Sequence, residues 1–191
     1  MTCVAPKAPP RERIIETARD LFHQHGIHTV GVETIAESAG TNKMTLYRHF
    51  KSKDELIAEC MRASWAEADE IWAEIASAHP GDAMLQLETW IAFVAAKVAG
   101  DCRGCDLSNA VVELTDTDHP AVKVVEEFWA DYRRRLARLC REAGFAEPDL
   151  LADTLYTLLE GARISRQADN LQGPSGNFAA MATAVLKAFK R

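Results

Sequence analysis

No apolar run in this chain approaches the ~20 residues that a bilayer-spanning helix needs, and its first residues hold no apolar stretch resembling a signal peptide. No membrane partner is therefore expected. Cysteine is scarce: five residues, at positions 3, 60, 102, 105 and 140, are too few and too scattered to staple a secreted fold, and a reducing, cytoplasmic setting is the natural reading. The alternation that marks β-strands is missing as well, so the expected fold class is all-α, with about nine helices. Positive charge is also short. The net charge of −6 argues against a uniformly basic, polyanion-coating protein. The deficit is uneven, however: residues 1 to 55 hold 8 Lys/Arg against 7 Asp/Glu, whereas residues 56 to 191 hold 14 against 21. A near-neutral first part leaves room for a local basic surface, with an acidic body behind it.

What the chain does contain is concentrated between Gly31 and Asp54, GVETIAESAGTNKMTLYRHFKSKD. Val32, Ile35, Ala36 and Ala39 form one apolar face of a short helix, and Gly40 is a residue able to leave it. Asn42 restarts the chain, its side-chain oxygen suited to capping a second helix from Lys43 to Phe50 whose buried side is Leu46 and Phe50. Ser52 and Glu55 read as an S-x-x-E capping box that opens a third helix at Lys53. Two short helices about a glycine-containing turn make a helix-turn-helix. Its second helix presents Lys43, Thr45, Tyr47, Arg48 and His49 to solvent, a mixture suited to phosphate oxygens and base edges and poorly suited to burial.

The segment TNKMTLYRHFKSKDEL resembles the recognition-helix signature of the TetR family of bacterial transcriptional regulators. The order of elements is similar too, from a first helix ending near Phe22 and Gly26, through Ile35-Ala36 and Ala39-Gly40, to Leu46-Tyr47, Phe50 and Lys53, over about the first quarter of the chain. The resemblance implies an arm and DNA-binding module at residues 1–52 and a helical effector-binding and dimerising domain at residues 53–191, joined by a helix over residues 53–77. Operator DNA, a second copy of the chain and a small-molecule effector are the partners it implies. The DNA contacts expected are Thr29, Asn42, Lys43, Thr45, Tyr47, Arg48, His49 and Lys53. Lys43 and then Thr45 suit base edges, and Tyr47, His49, Thr29 and Lys53 suit phosphate, Lys53 because it stands at a helix N-terminus. Where the family usually caps its second helix with Ser or Thr, this chain has Gly31, which brings no side chain to DNA.

Elsewhere the reading is of helices and their ends. Residues 1 to 10 hold three prolines and predict a flexible arm whose end, Lys7, Arg11 and Arg13, is basic; these charges either solvate the arm or reach DNA. His23, His25 and His28 lie close together but face different ways, with no ligand set to complete a metal site, so neither metal nor cofactor is expected. A long helix runs from Lys53 to about Ser77, another from about Asp82 to Ala99, and an irregular stretch from Asp101 to His119. The stretch GCDLSNAVVEL is similar to part of some TetR-family ligand domains, which implies a short helix beside an effector cavity. Pro120 opens a helix to Ala143 whose arginines, Arg133, Arg134, Arg135, Arg138 and Arg141, read as a solvated face. Two last helices, about 148–168 and 174–189, carry apolar residues on more sides than one protomer needs, and the resemblance makes them the dimer interface.

Trp65, Trp72, Trp90, Phe93, Trp129, Tyr132 and Tyr156 are many large side chains for a small domain. They predict either an ordinary aromatic core or a cavity for an apolar or aromatic ligand, with Cys105 and Asn109 beside it. The function expected is a ligand-released repressor. Two alternatives stand beside it: a redox-responsive regulator using the C-x-x-C pair Cys102 and Cys105, and an all-helical enzyme using His119 with Glu113, Asp116 or Asp118, for which no nucleophile-base spacing argues.

Overall fold

The structure is a computed structural model that describes residues 8–190, so Cys3 and Lys7 lie outside the described residues. Every regular element among them is helical: α1 (Pro10–His25), α2 (Val32–Ser38), α3 (Lys43–His49), α4 (Lys53–Ala78), α5 (Ala83–Gly100), α6 (Asp106–Glu113), α7 (Pro120–Glu142), α8 (Pro148–Asp169) and α9 (Phe178–Phe189). Among the described residues no helix is long and apolar enough to cross a membrane.

Local chemistry explains the boundaries. Pro10 sits in the first turn of α1 with its φ already set, so the helix begins earlier than the flexible-arm reading allowed. Arg11 and Arg13 accordingly belong to α1 and are engaged within the protein. Arg11 pairs with Glu59 of α4, and Arg13 donates to the carbonyls of Ala8 at 2.7 Å and Ala39 at 3.2 Å. α1 ends at Gly26, whose φ of 84° is left-handed and whose missing Cβ would stand 3.2 Å from the Glu113 carboxylate. α3 is capped by Asn42, whose Oδ1 accepts the Thr45 N–H at 2.9 Å. At α4 the Ser52 hydroxyl accepts the Glu55 N–H at 3.0 Å, while the Glu55 carboxylate reaches back one residue further than a standard box, to the N–H of Lys51 at 2.7 Å.

The first three helices close over Ile14, Ala18, Ile35, Leu46 and Phe50, all essentially without solvent contact. The body is organised on α7, which packs against α4, α5, α6 and α8. Its inward stripe, Val125, Phe128, Tyr132, Leu136 and Leu139, is buried along about four turns. The arginines on its outer side are paired, Arg133 with Asp153, Arg134 and Arg135 with Asp131, Arg138 with Glu142 and Arg141 with Asp149. Exposed pairs of this kind add little to stability because solvent screens them.

One expected helix is interrupted. The segment from Pro174 starts as a 3-10 turn, Pro174–Asn177, and becomes α-helical only at Phe178. Asp169 is the cause: its carboxylate accepts the backbone N–H groups of Leu171 (3.0 Å) and Ser175 (3.2 Å) and the Ser175 hydroxyl. The linker is thereby folded back over the end of α8, with Asn170 and Leu171 both at positive φ.

Candidate nucleic-acid interface and effector cavity

The turn between α2 and α3 leaves the outer side of α3 bare. Lys43, Tyr47, Arg48 and His49 are exposed on it, and Thr29 is exposed on the loop before α2. Thr45 is half-buried, and the Asn42 side-chain oxygen is already spent on the cap. Lys43 is held in place: its ammonium donates to Glu33 of α2 and lies 6.0 Å from the Tyr47 ring. The hydrogen bond from Lys43 holds the Glu33 carboxyl below the usual range and, in return, Glu33 raises the lysine.

Two features depart from expectation. The Lys53 ammonium, read as a phosphate donor, is turned inward, donating to the Ile27 carbonyl at 2.6 Å and lying 5.8 Å from the Phe22 ring. The cause is the packing of the first turn of α4 beside the α1–α2 loop. Met44 was passed over in the sequence, yet it is 77 % exposed at the start of α3, the barest large apolar side chain of the described chain. Its position two residues from Leu46, on the opposite side of the short helix, was the available signal.

Behind this unit, α4, α5, α6, α7 and α8, with Arg19 and His23 of α1, line a partly open cavity of about 310 Å³, within the range that holds small ligands. Of the residues expected beside a ligand, Trp72, Trp90, Phe93, Cys105 and Tyr132 line this cavity. Trp65, Asn109, Trp129 and Tyr156 do not. Trp65 is turned edge-on against Phe128, 6.0 Å between ring centres, and Trp129 packs 5.0 Å from Tyr156 and 5.6 Å from Tyr132, so these rings belong to the core around the cavity. The Asn109 amide is committed to the Arg103 carbonyl at 2.9 Å. The Trp90 indole N–H donates to the Tyr132 hydroxyl at 2.9 Å, and burial pushes that phenol well above its ordinary pKa.

The aromatic count gave no warning of the charged side chains around the same space: Lys97, Arg163, Arg19, Glu67, Asp101, Asp106 and His23. Lys97 was legible from spacing, since it stands four residues after Phe93 and seven after Trp90 on α5. The others come from elements far apart in sequence. Arg19 takes Glu67 with both terminal nitrogens and holds its carboxyl low, with a smaller contribution from Lys97. Arg163 donates to Glu160 at 2.5 Å.

The cavity edge is also the seam with α1. His23 of α1 lies with Nδ1 2.6 Å from Asp106 and Nε2 3.2 Å from Asp101, and Ser64 of α4 donates to the other Asp106 oxygen at 3.3 Å. Burial opposes a charge on His23, but the hydrogen bond and charge of Asp106, followed by those of Asp101, outweigh it and raise the imidazole pKa. At the other end of α6, the Glu113 carboxylate accepts the Ile27 N–H at 2.6 Å, and the Glu113 carbonyl takes the His28 Nε2 at 2.8 Å. α6 thus holds the first unit at both of its ends. His25 is exposed and takes no part in the seam.

The residues considered for catalysis have structural duties. His119 Nδ1 accepts the Ala121 N–H at 3.1 Å and its Nε2 lies 3.3 Å from Asp54, while Asp116 accepts the Asp118 N–H at 2.9 Å. Cys102 is exposed and Cys105 is half-buried at the start of α6, and both thiols are free.

The helix-turn-helix on an all-helical body recurs in known proteins. A transcriptional regulator of the TetR type from Streptomyces avermitilis is 30% identical, with a TM-score of 0.79 over 95% of this chain and 98% of that one. This chain belongs to the TetR family. A sequence profile for the bacterial regulatory proteins of that family matches residues 14–60, and a TetR-family transcriptional regulator from Streptomyces coelicolor superposes with a TM-score of 0.88 at 26% identity over 95% of this chain and 96% of that chain. The transcriptional repressor DhaR of Mycobacterium sp. (strain GP1) is 24% identical over 90% of this chain and 89% of its own length. Similarity to the regulator AcrR of Shigella flexneri, 33% identical, covers 38% of this chain and 34% of AcrR, and similarity to UidR of Escherichia coli covers 25% of UidR. The chain thus spans about a third of the length of AcrR and a quarter of that of UidR.

Proposed function

We propose that this TetR-family chain is a dimeric, operator-binding transcriptional repressor that a small aromatic ligand releases from DNA. One observation carries the reading: α6 borders the cavity with Asp106 and Leu107 and grips the helix-turn-helix unit through His23 at one end and Ile27 at the other. A ligand that displaces the N-terminal turn of α6 moves both grips together and lowers the population of the DNA-competent arrangement.

In this reading residues 1–52 bind DNA and residues 53–191 sense the ligand and dimerise. Lys43 and Thr45 read base edges from α3, and the exposed Met44 offers an apolar contact of the kind that suits a thymine methyl. Tyr47, Arg48, His49 and Thr29 meet phosphates, and Asn42 sets the start of α3. Lys53 contributes its backbone N–H at the head of α4 in place of its ammonium. One short reading helix covers few base pairs, so two copies are needed. The support for α8 and α9 as their interface is an apolar face left bare: Leu150 is 53 % and Ile164 61 % exposed, beside a groove that includes Leu158, Gly161 and Met181.

The test is a gel shift on genomic fragments selected by the purified protein, repeated with aromatic ligands and at rising salt. Sequence-selective binding that salt weakens and a ligand reverses is the expected result. Equal binding to selected and random fragments would remove the operator reading, and no ligand effect on DNA or tryptophan fluorescence would remove the effector.

A further inference from the structure

We infer that the effector is an aromatic anion, of the class of aryl carboxylates, with its charge at Lys97 and a second acceptor atom at Tyr132. The inference rests on the effector reading above and specifies its chemistry.

The carboxylates are taken. Glu67 receives both terminal nitrogens of Arg19, Asp106 receives His23 and Ser64, and Asp101 receives His23 and the Arg103 N–H. Each of the three thus already faces a donor within the protein. The unspent groups are donors. Lys97 forms no ion pair within 4 Å among the described residues, and its ammonium lies 5.7 Å from the Phe93 ring. Tyr132, only 7 % exposed, accepts the Trp90 N–H, which leaves its own O–H proton without an acceptor among the described residues. A buried hydroxyl proton without an acceptor costs on the order of 1–3 kcal/mol, and a ligand atom that accepts it recovers part of that cost.

The spacing of these two donors matches a short rigid molecule. Trp90, Phe93, Val94, Lys97 and Val98 lie on one face of α5 and all line the cavity. Trp90 carries the Tyr132 end, and Lys97 stands seven residues further on, about 10 Å along the helix. Between them Trp72, Phe93 and Phe128 supply aromatic walls. An aromatic cation would find only occupied carboxylates, and a neutral arene would leave both donors unanswered.

The experiment uses the full-length protein and three naphthyl probes of one shape: naphthoate, naphthyl methanol and naphthyl methylamine, titrated by quenching of the cavity tryptophans and by release of selected DNA. Naphthoate is expected to bind about tenfold or more tightly than the alcohol. Lys97→Met, a change at an exposed side chain, should erase that preference and leave alcohol binding within about twofold. Tyr132→Phe should weaken both probes. The inference is overturned if acid and alcohol bind alike, if the preference survives in Lys97→Met, or if the amine binds tightest. Alcohol binding that still releases DNA would leave the effector reading standing without the anion, whereas silence from all three probes would take both away.

Discussion

The carboxylate of Glu113, the last residue of α6, accepts the backbone N–H of Ile27 at 2.6 Å across 86 residues of sequence. The same oxygen lies 3.4 Å from the N–H of His28, so one side chain caps the loop after α1. Gly26 is needed beside it, because a Cβ there would press on that carboxylate.

Replacing Glu113 with Ala should therefore cost about 1–3 kcal/mol, the range for leaving part-buried backbone donors unpaired. Thermal unfolding should show a drop of roughly 2–12 °C in Tm. Hydrogen exchange at Ile27 and His28 should accelerate more than exchange along α7. An unchanged melt with unchanged exchange would mean that α6 does not hold this loop in solution.

The His23 seam should depend on pH with a definite sign. Its pKa is raised in the folded state against the approaching Asp106 and Asp101, with Arg19 and Arg103 as the cations nearby. The stabilisation is fully present below the unfolded value of about 6.5 and is lost as pH rises through the higher folded value. The difference in Tm between the wild type and His23→Gln should be largest near pH 5.5 and should shrink as pH rises to 8.5. A difference that grows with pH would contradict the assignment.

If α3 reads DNA as proposed, Glu33, which holds the Lys43 ammonium, should compete with DNA for it. Glu33→Gln should raise affinity for all duplexes several-fold at low salt, with the gain fading as salt screens the site. Lys43→Ala should weaken binding and also flatten the preference between selected and random fragments. Anisotropy titrations at two salt concentrations separate the two behaviours.

The thiols should sort by burial. Burial pushes both Cys60 and Cys140 to a pKa of about 12, whereas Cys102 is exposed. Brief treatment of the native protein with a maleimide, read by peptide mass, should label Cys102 and spare Cys60 and Cys140 until denaturant is added. Serine at both Cys102 and Cys105 then decides the redox alternative: an oxidant effect on DNA binding that survives the double change does not come from this pair.

If α8 and α9 join two copies, Ile164→Asp places a charge on the bare face of α8 and should convert the dimer to a monomer in sedimentation. DNA affinity should fall with it, because one α3 remains per particle. A dimer that tolerates the charge lies elsewhere.

The helices and the reading unit were legible because they depend on short-range rules: a cap at Asn42, a cap at Ser52, a stop at Gly26 and an apolar stripe along α7. The cavity was legible only in part. Trp72 and Trp65 are about two turns apart on the same side of one helix, yet only Trp72 reaches the open space, since Trp65 packs against Phe128 of α7. Lys53 shows the same limit: its place at a helix head suggested phosphate, but the Ile27 carbonyl, 26 residues away, claims its ammonium. Long-range partners such as His23 with Asp106 leave no mark in local spacing.

The 26 residues of α4 form one uninterrupted rod, about 39 Å long at 1.5 Å per residue. Arithmetic alone makes such a rod an amplifier. A tilt of about 5° about its far end carries its head roughly 3.4 Å, close to the ~3.4 Å rise of one base step. Displacements too slight to break any contact around Trp72 are thus as large, at Ser52, as the unit in which a DNA sequence is written.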